Sequence, residues 1–124
     1  MTEHSTSQQV AEVLRETVDA FAARVNRDDR LRKMVADWDR TIALVATDES
    51  VAAGFQVLAG RVLPLGEAPM GADVLLRADA ATLIGVFRGD LSPTEPYVDG
   101  TLQVQGSQED VLRLDFLSLM IWGG

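Results

Sequence analysis

Groups able to do acid–base, nucleophilic or metal chemistry are few in this sequence. The only histidine, His4, lies in a polar opening stretch and reads as a flexible, exposed residue. There is no cysteine, which excludes disulfides, thiolate metal sites and cysteine nucleophiles. One imidazole and no thiol cannot assemble the usual zinc sites, nor a Ser-His-Asp or Cys-His arrangement. The chain holds no G-x-S-x-G, Walker or G-x-G-x-x-G sequence. Carboxylates remain. Asp37 and Asp39 flank Trp38 and could act together on one face; the plainer alternative is a solvated helix-to-strand junction. Asp115 sits in an otherwise apolar segment. Buried, it would need a partner or a raised pKa and could orient a ligand hydroxyl; on a polar edge beside Ser118 it would simply be solvated. No catalytic residue, metal-ligand set or cofactor is expected from these types.

The elements that would position such groups are legible from hydrophobic period. Met1 to Ser7 reads as a flexible tail, and residues 8–124 as a single domain. Val10, Val13, Leu14, Val18, Phe21, Ala22 and Val25 keep the spacing of one helical face, which predicts a helix from about Ser7 to Asn26. A helical turn follows over Leu31 to Ala36. Thr41–Ala46 is β-branched and apolar, with Asp48-Glu49-Ser50 as a turn. Phe55–Leu58 and Arg61–Leu65 flank Ala59-Gly60 as a hairpin, and Pro64, Gly66, Pro69 and Gly71 mark a loop. Asp73–Ala78 forms a strand, after which Asp79 caps a helix over Ala80–Arg88 that Gly89 closes.

The segment after Pro93 alternates: Val98, Gly100, Leu102 and Val104 against Asp99, Thr101, Gln103 and Gln105. That predicts a strand with one packed and one wet face. Ser107-Gln108-Glu109-Asp110 opens the last helix as a capping box, with Asp110 in the place of the usual Glu or Gln. From Gln108 to about Ile121 this helix is apolar nearly all round, broken only by Arg113, Asp115 and Ser118. Such a helix must be covered on most sides, by the first helix, a second subunit or an apolar ligand. The element order indicates an α+β domain with one sheet and helices on one side.

Composition narrows the function classes. The 124 residues carry 11 basic and 19 acidic side chains, a net charge of -8. That argues against a general nucleic-acid binder and against electrostatic docking on anionic membrane. Five of the bases crowd into Arg24, Arg27, Arg30, Arg32 and Lys33, interrupted by Asp28 and Asp29, as at a solvated helix junction. At this length a chain buries roughly two-thirds of its unfolded surface and needs no disulfide or structural metal. No apolar run reaches transmembrane length, and Met1–Gln9 lacks the apolar stretch of a signal peptide. A cytoplasmic protein without an integral membrane segment is expected.

Two stretches of the C-terminal half resemble the sterol carrier protein 2 (SCP-2-like) sterol-binding and lipid-transfer family. The first is Ala72-Asp73-Val74-Leu75-Leu76-Arg77-Ala78-Asp79 followed by Leu83 through Phe87-Arg88-Gly89-Asp90-Leu91. The second is Tyr97-Val98-Asp99-Gly100-Thr101-Leu102-Gln103-Val104-Gln105-Gly106, leading into the apolar final helix. The resemblance spans about Ala72 to Met120. Thr101 departs from a common Lys, Gln108-Glu109-Asp110 from small residues, and Trp122-Gly123-Gly124 from a peroxisomal tripeptide.

The resemblance implies a single five-stranded, mostly antiparallel (mixed) sheet with helices on one face. It also implies an apolar tunnel between them for sterols, fatty acids or acyl-CoA, which would supply the missing cover of the last helix. Carried over by position, the tunnel-facing residues are Leu83, Phe87, Leu102, Val104, Leu112, Phe116 and Met120; each is equally readable as plain core. The leading expectation is a non-catalytic carrier of an apolar small molecule. The alternatives are an enzyme using the same pocket, with Asp115, Tyr97 or Asp99 as its working groups, and an interaction module whose last helix is covered in a homodimer.

Overall fold

A computed structural model describes the backbone of residues 2–121 and the side chains of residues 7–114. Helices α1 (Thr2–Asn26) and α2 (Asp29–Met34) come first, followed by strands β1 (Arg40–Ala46), β2 (Val51–Leu58), β3 (Arg61–Leu65) and β4 (Val74–Ala78). Helices α3 (Ala80–Arg88) and α4 (Thr94–Asp99), strand β5 (Gln103–Gln105) and helix α5 (Gln108–Ile121) complete the chain. The five strands form one mixed sheet in the order β3-β2-β1-β4-β5. Only the β1–β4 pair is parallel; the other three are antiparallel. This is the α+β arrangement expected from the element order.

Strand alternation decides where the core lies. Ile42, Leu44 and Ala46 of β1, Ala53, Phe55 and Val57 of β2, Val62 of β3, and Val74, Leu76 and Ala78 of β4 are all buried. They point to the face that α1 and α3 cover. From α1, Leu14, Val18, Phe21, Ala22 and Val25 answer them at helical spacing. The Phe21, Phe55 and Phe87 rings meet at the middle, with centroids 5.4, 5.0 and 6.1 Å apart in tilted and edge-to-face geometry.

The local signals explain most element ends. Asp79 accepts the Thr82 N–H at 3.1 Å and its hydroxyl at 2.6 Å, capping α3. Gly89 closes that helix with φ 86°, in the left-handed region that favours glycine. Ala59 and Gly60, with φ 53° and 77°, make the tight β2–β3 turn, since two positive φ values match the twist of the flanking strands. Pro64 is tolerated in β3 because β3 is an edge strand. The Asn26 amide at the end of α1 donates to the Val62 carbonyl at 2.9 Å and accepts the Val62 N–H at 2.8 Å, so one side chain pairs with that edge as a strand would.

Between β3 and β4 the chain passes over the other face of the sheet. Gly54 admits it: a Cβ there would stand 2.5 Å from Pro69 Cδ and 2.7 Å from the Ile42 carbonyl oxygen.

Three expectations are corrected. Helix α1 begins at Thr2 rather than at about Ser7. Strand β2 starts at Val51, four residues before Phe55; its Ala-Ala-Gly start carries no alternation, yet pairs fully with β1. The strand predicted from Val98 is instead helix α4 followed by the three-residue β5. Pro96 in the first turn of α4 needs no N–H partner, and Gly100 ends the helix at φ 87°. The Leu102 N–H then folds back onto the Pro96 carbonyl at 2.9 Å. Half of the apparent alternation came from Gly100, which has no side chain, and from Val98, which is 79% exposed on α4.

Candidate functional site

Between the inner face of the sheet and the helices lies a cavity of about 290 Å³. Its sheet side is Phe55, Val57, Val62, Leu76 and Val104, with Leu102 from the turn before β5; α1 contributes Phe21 and Val25, and α3 contributes Val86 and Phe87. Val35 and Trp38 close it from the α2–β1 connection, Val111 and Leu114 from α5, and Pro93, Thr94 and Tyr97 from the α4 region. Phe21, Phe55 and Phe87, in contact with one another, form one wall of this space.

The polar atoms on this lining are few. The Trp38 indole N–H is already used, donating to Asp110 Oδ1 at 2.7 Å. The hydroxyls of Thr94 and Tyr97 lie at the exposed rim, Tyr97 being half exposed. No described lining residue is a carboxylate, an imidazole or a base. Among the described residues no group of three or more His, Asp or Glu side chains could hold a metal ion. The arrangement can enclose an apolar body and offer hydrogen bonds at one end of it.

A polar clasp beside the cavity fixes α5 against the start of β1. Asp110 is buried, and its carboxylate accepts from Trp38 and from Arg40 Nε at 3.0 and 3.1 Å. Its backbone N–H donates to Ser107 Oγ at 3.1 Å, so the predicted cap forms. The Asp110 side chain does not reach back to complete the capping box, because Trp38 and Arg40 hold it. Burial works to raise the Asp110 pKa; Trp38, Ser107 and Arg40 outweigh it and hold the carboxyl below its ordinary value of 3.8. One turn on, Arg113 donates to the Met34 carbonyl at 2.7 Å and to Asp37 at 2.9 Å, with its guanidinium carbon 6.0 Å from the Trp38 ring centroid. Sequence alone gave no hint that Trp38, so far away in the chain, donates its indole N–H to Asp110. The one available signal was a buriable acid in the third position of α5.

The sequence candidates fall in different places. Phe87, Leu102 and Val104 border the cavity. Leu83 does not; it is completely buried on α3, in solid core. Leu112 does not either and is 51% exposed, because it is turned about 100° round α5 from the cavity-lining Val111. The side chains of Phe116, Met120, Asp115 and Trp122 lie outside the described residues. Asp37 and Asp39 do not act together: Asp37 pairs with Arg113, whose hydrogen bond and charge lower its pKa, while Asp39 accepts the Ala59 N–H at 3.0 Å. Asp99 accepts the Thr101 N–H at 2.8 Å, and its bonds with Thr101 lower its pKa. Phe21 and Phe55, which the spacing marked only as apolar, prove to form the aromatic floor.

Residues 18–117 match the model of the SCP-2 sterol transfer family. No curated protein sequence matches the chain. Among solved structures, a double mutant of the sec-alkyl sulfatase PisA1 aligns with a TM-score of 0.63 and 19% identity over 84% of this chain, which spans only 15% of that enzyme. Sterol carrier protein 2 aligns with a TM-score of 0.61 and 20% identity, over 83% of this chain and 91% of its own. The UbiJ-SCP2 ubiquinone synthesis protein aligns with a TM-score of 0.62 and 18% identity, over 98% of this chain and 99% of its own. At these identities the structural likeness is one of fold.

Proposed function

Because the chain belongs to the SCP-2 sterol transfer family, we propose that it binds and carries an apolar small molecule in the cavity between sheet and helices, without chemical turnover. The observation that carries this reading is the apolar cavity of about 290 Å³ whose floor is the Phe21–Phe55–Phe87 cluster. That volume stands just below the roughly 300–1,000 Å³ of small-molecule sites, room for one compact ligand or an alkyl tail. A tail of about ten methylenes, at about 0.8 kcal/mol each, contributes on the order of 8 kcal/mol gross. Association costs then leave a weak, exchangeable complex, as carriage requires.

Carriage is favoured over catalysis because the described lining offers only the hydroxyls of Thr94, which accepts from Ser92 Oγ at 3.4 Å, and Tyr97, and no carboxylate, imidazole or amine. Transport inside the cell fits a chain in which no described helix is long and apolar enough to cross a membrane.

The test is native mass spectrometry of protein purified without detergent, followed by extraction and identification of any bound mass. A stoichiometric lipid-like ligand is the expected result. A ligand-free protein that also fails to bind the neutral fluorophore Nile red would overturn the proposal.

A further inference from the structure

Taking the cavity as the seat of an apolar tail, which rests on the function proposed above, the other end of the ligand meets the protein where the lining reaches solvent. That rim is Pro93, Thr94 and Tyr97. Its electrostatics are one-sided. From Gly89 to Leu112 the chain carries Asp90, Glu95, Asp99, Glu109 and Asp110 and not one Lys, Arg or His. The flanking bases do not supply the deficit. Arg113 is bonded to Asp37 and the Met34 carbonyl, and Arg40 to Asp110. Arg88 is exposed in the last turn of α3 and does not border the cavity.

Among the described residues no basic residue lines the cavity. Residues 114–124 contain no basic side chain, so no placement of the end of α5 brings a cation to the site. His4 lies 17 residues before the cavity residue Phe21, about 25 Å along α1 at 1.5 Å per residue. An anionic head group at this rim would find no cationic side chain on the described cavity lining, beside a segment whose charged side chains are all acidic. A hydroxyl, ester or ketone oxygen needs none, and the Thr94 and Tyr97 hydroxyls can bond to it.

We propose that the site selects ligands whose polar end is uncharged: a long-chain alcohol, ester or ketone in preference to a carboxylate or a phosphate-bearing acyl carrier. Thr94 and Tyr97 are its specificity-determining residues.

The experiment uses the full chain, stripped of lipid and loaded with Nile red, at pH 8 and low salt. Competitors of one chain length are 1-dodecanol, methyl dodecanoate and dodecanoate. The alcohol and ester should displace the dye at concentrations at least tenfold below dodecanoate. In the Thr94→Val/Tyr97→Phe double variant, whose own Nile red affinity is measured first, the ratio of dodecanol to dodecane competition should fall to about one. Dodecanoate competing as well as or better than the neutral pair overturns the selectivity alone. An undiminished preference for dodecanol in the double variant overturns the role of the two hydroxyls. Failure of Nile red and every competitor to bind overturns the carrier reading itself, and with it this inference.

Discussion

Replacing Asp110 by Ala tests whether the clasp between α5 and β1 stabilises the molecule or merely decorates it. The substitution leaves the Trp38 N–H, in a residue only 2% exposed, without its acceptor, and Arg40 without its counter-ion. Removing one member of a buried charged pair costs about 3–5 kcal/mol. The Arg40 side chain is 34% exposed, so solvent screens its half of the interaction and the lower end applies. The expected loss is about 3 kcal/mol, equivalent to roughly 10 °C in Tm for a domain of this size. Urea unfolding followed by circular dichroism reads it, and a double-mutant cycle with Arg40→Ala isolates the pair.

The pH dependence carries a sign. The folded pKa of Asp110 lies below 3.8, so the contribution of its charge is complete above that value and is lost as pH falls through the folded pKa. The stability gap between wild type and Asp110→Asn should therefore be flat near neutrality and close in acid. A loss under about 1 kcal/mol for Asp110→Ala, or strict additivity with Arg40→Ala, refutes the clasp as an energetic unit.

Three further outcomes follow from the same geometry. Val104→Trp places a large ring in the cavity and should abolish Nile red binding while the circular dichroism spectrum stays native. Gly54→Ala brings a methyl group against Pro69 and the Ile42 carbonyl and should cost about 2 kcal/mol in urea unfolding. Asp79→Ala removes the α3 cap and should cost about 1 kcal/mol. Because hydrogen bonds with Thr82 lower the Asp79 pKa, the part of that cost due to its charge should fade below pH 3.8.

What the sequence disclosed follows the range of each signal. Asp79 and Gly89 bracket α3 correctly because capping acts within one helical turn. Ala59-Gly60 marked its hairpin because a two-residue turn is a local demand on φ. Val98–Val104 misled because two prolines and a left-handed glycine make a helical turn whose residues happen to alternate in polarity. The cavity was legible only as a set of apolar positions. Periodicity tells that Phe21, Phe55 and Leu83 turn inward; whether neighbours fill the space between them depends on ring contacts made across three elements. Leu83 and Leu112, carried over by position, show the limit: one lies in solid core and the other half in water. The Trp38–Asp110 bond spans 72 positions and leaves no spacing to detect.

The pairing of the Asn26 amide with Val62 has a consequence for self-association. Strand β3 ends the sheet, and its free backbone groups are where a foreign strand would add. At Val62 both groups are already taken, so an incoming chain must first evict a side chain anchored at the end of a 25-residue helix. At the opposite edge β5 offers only three residues, too short a template for a stable ladder. Both margins of the sheet are thus guarded against templated aggregation, one by a carboxamide standing in for a strand and the other by brevity.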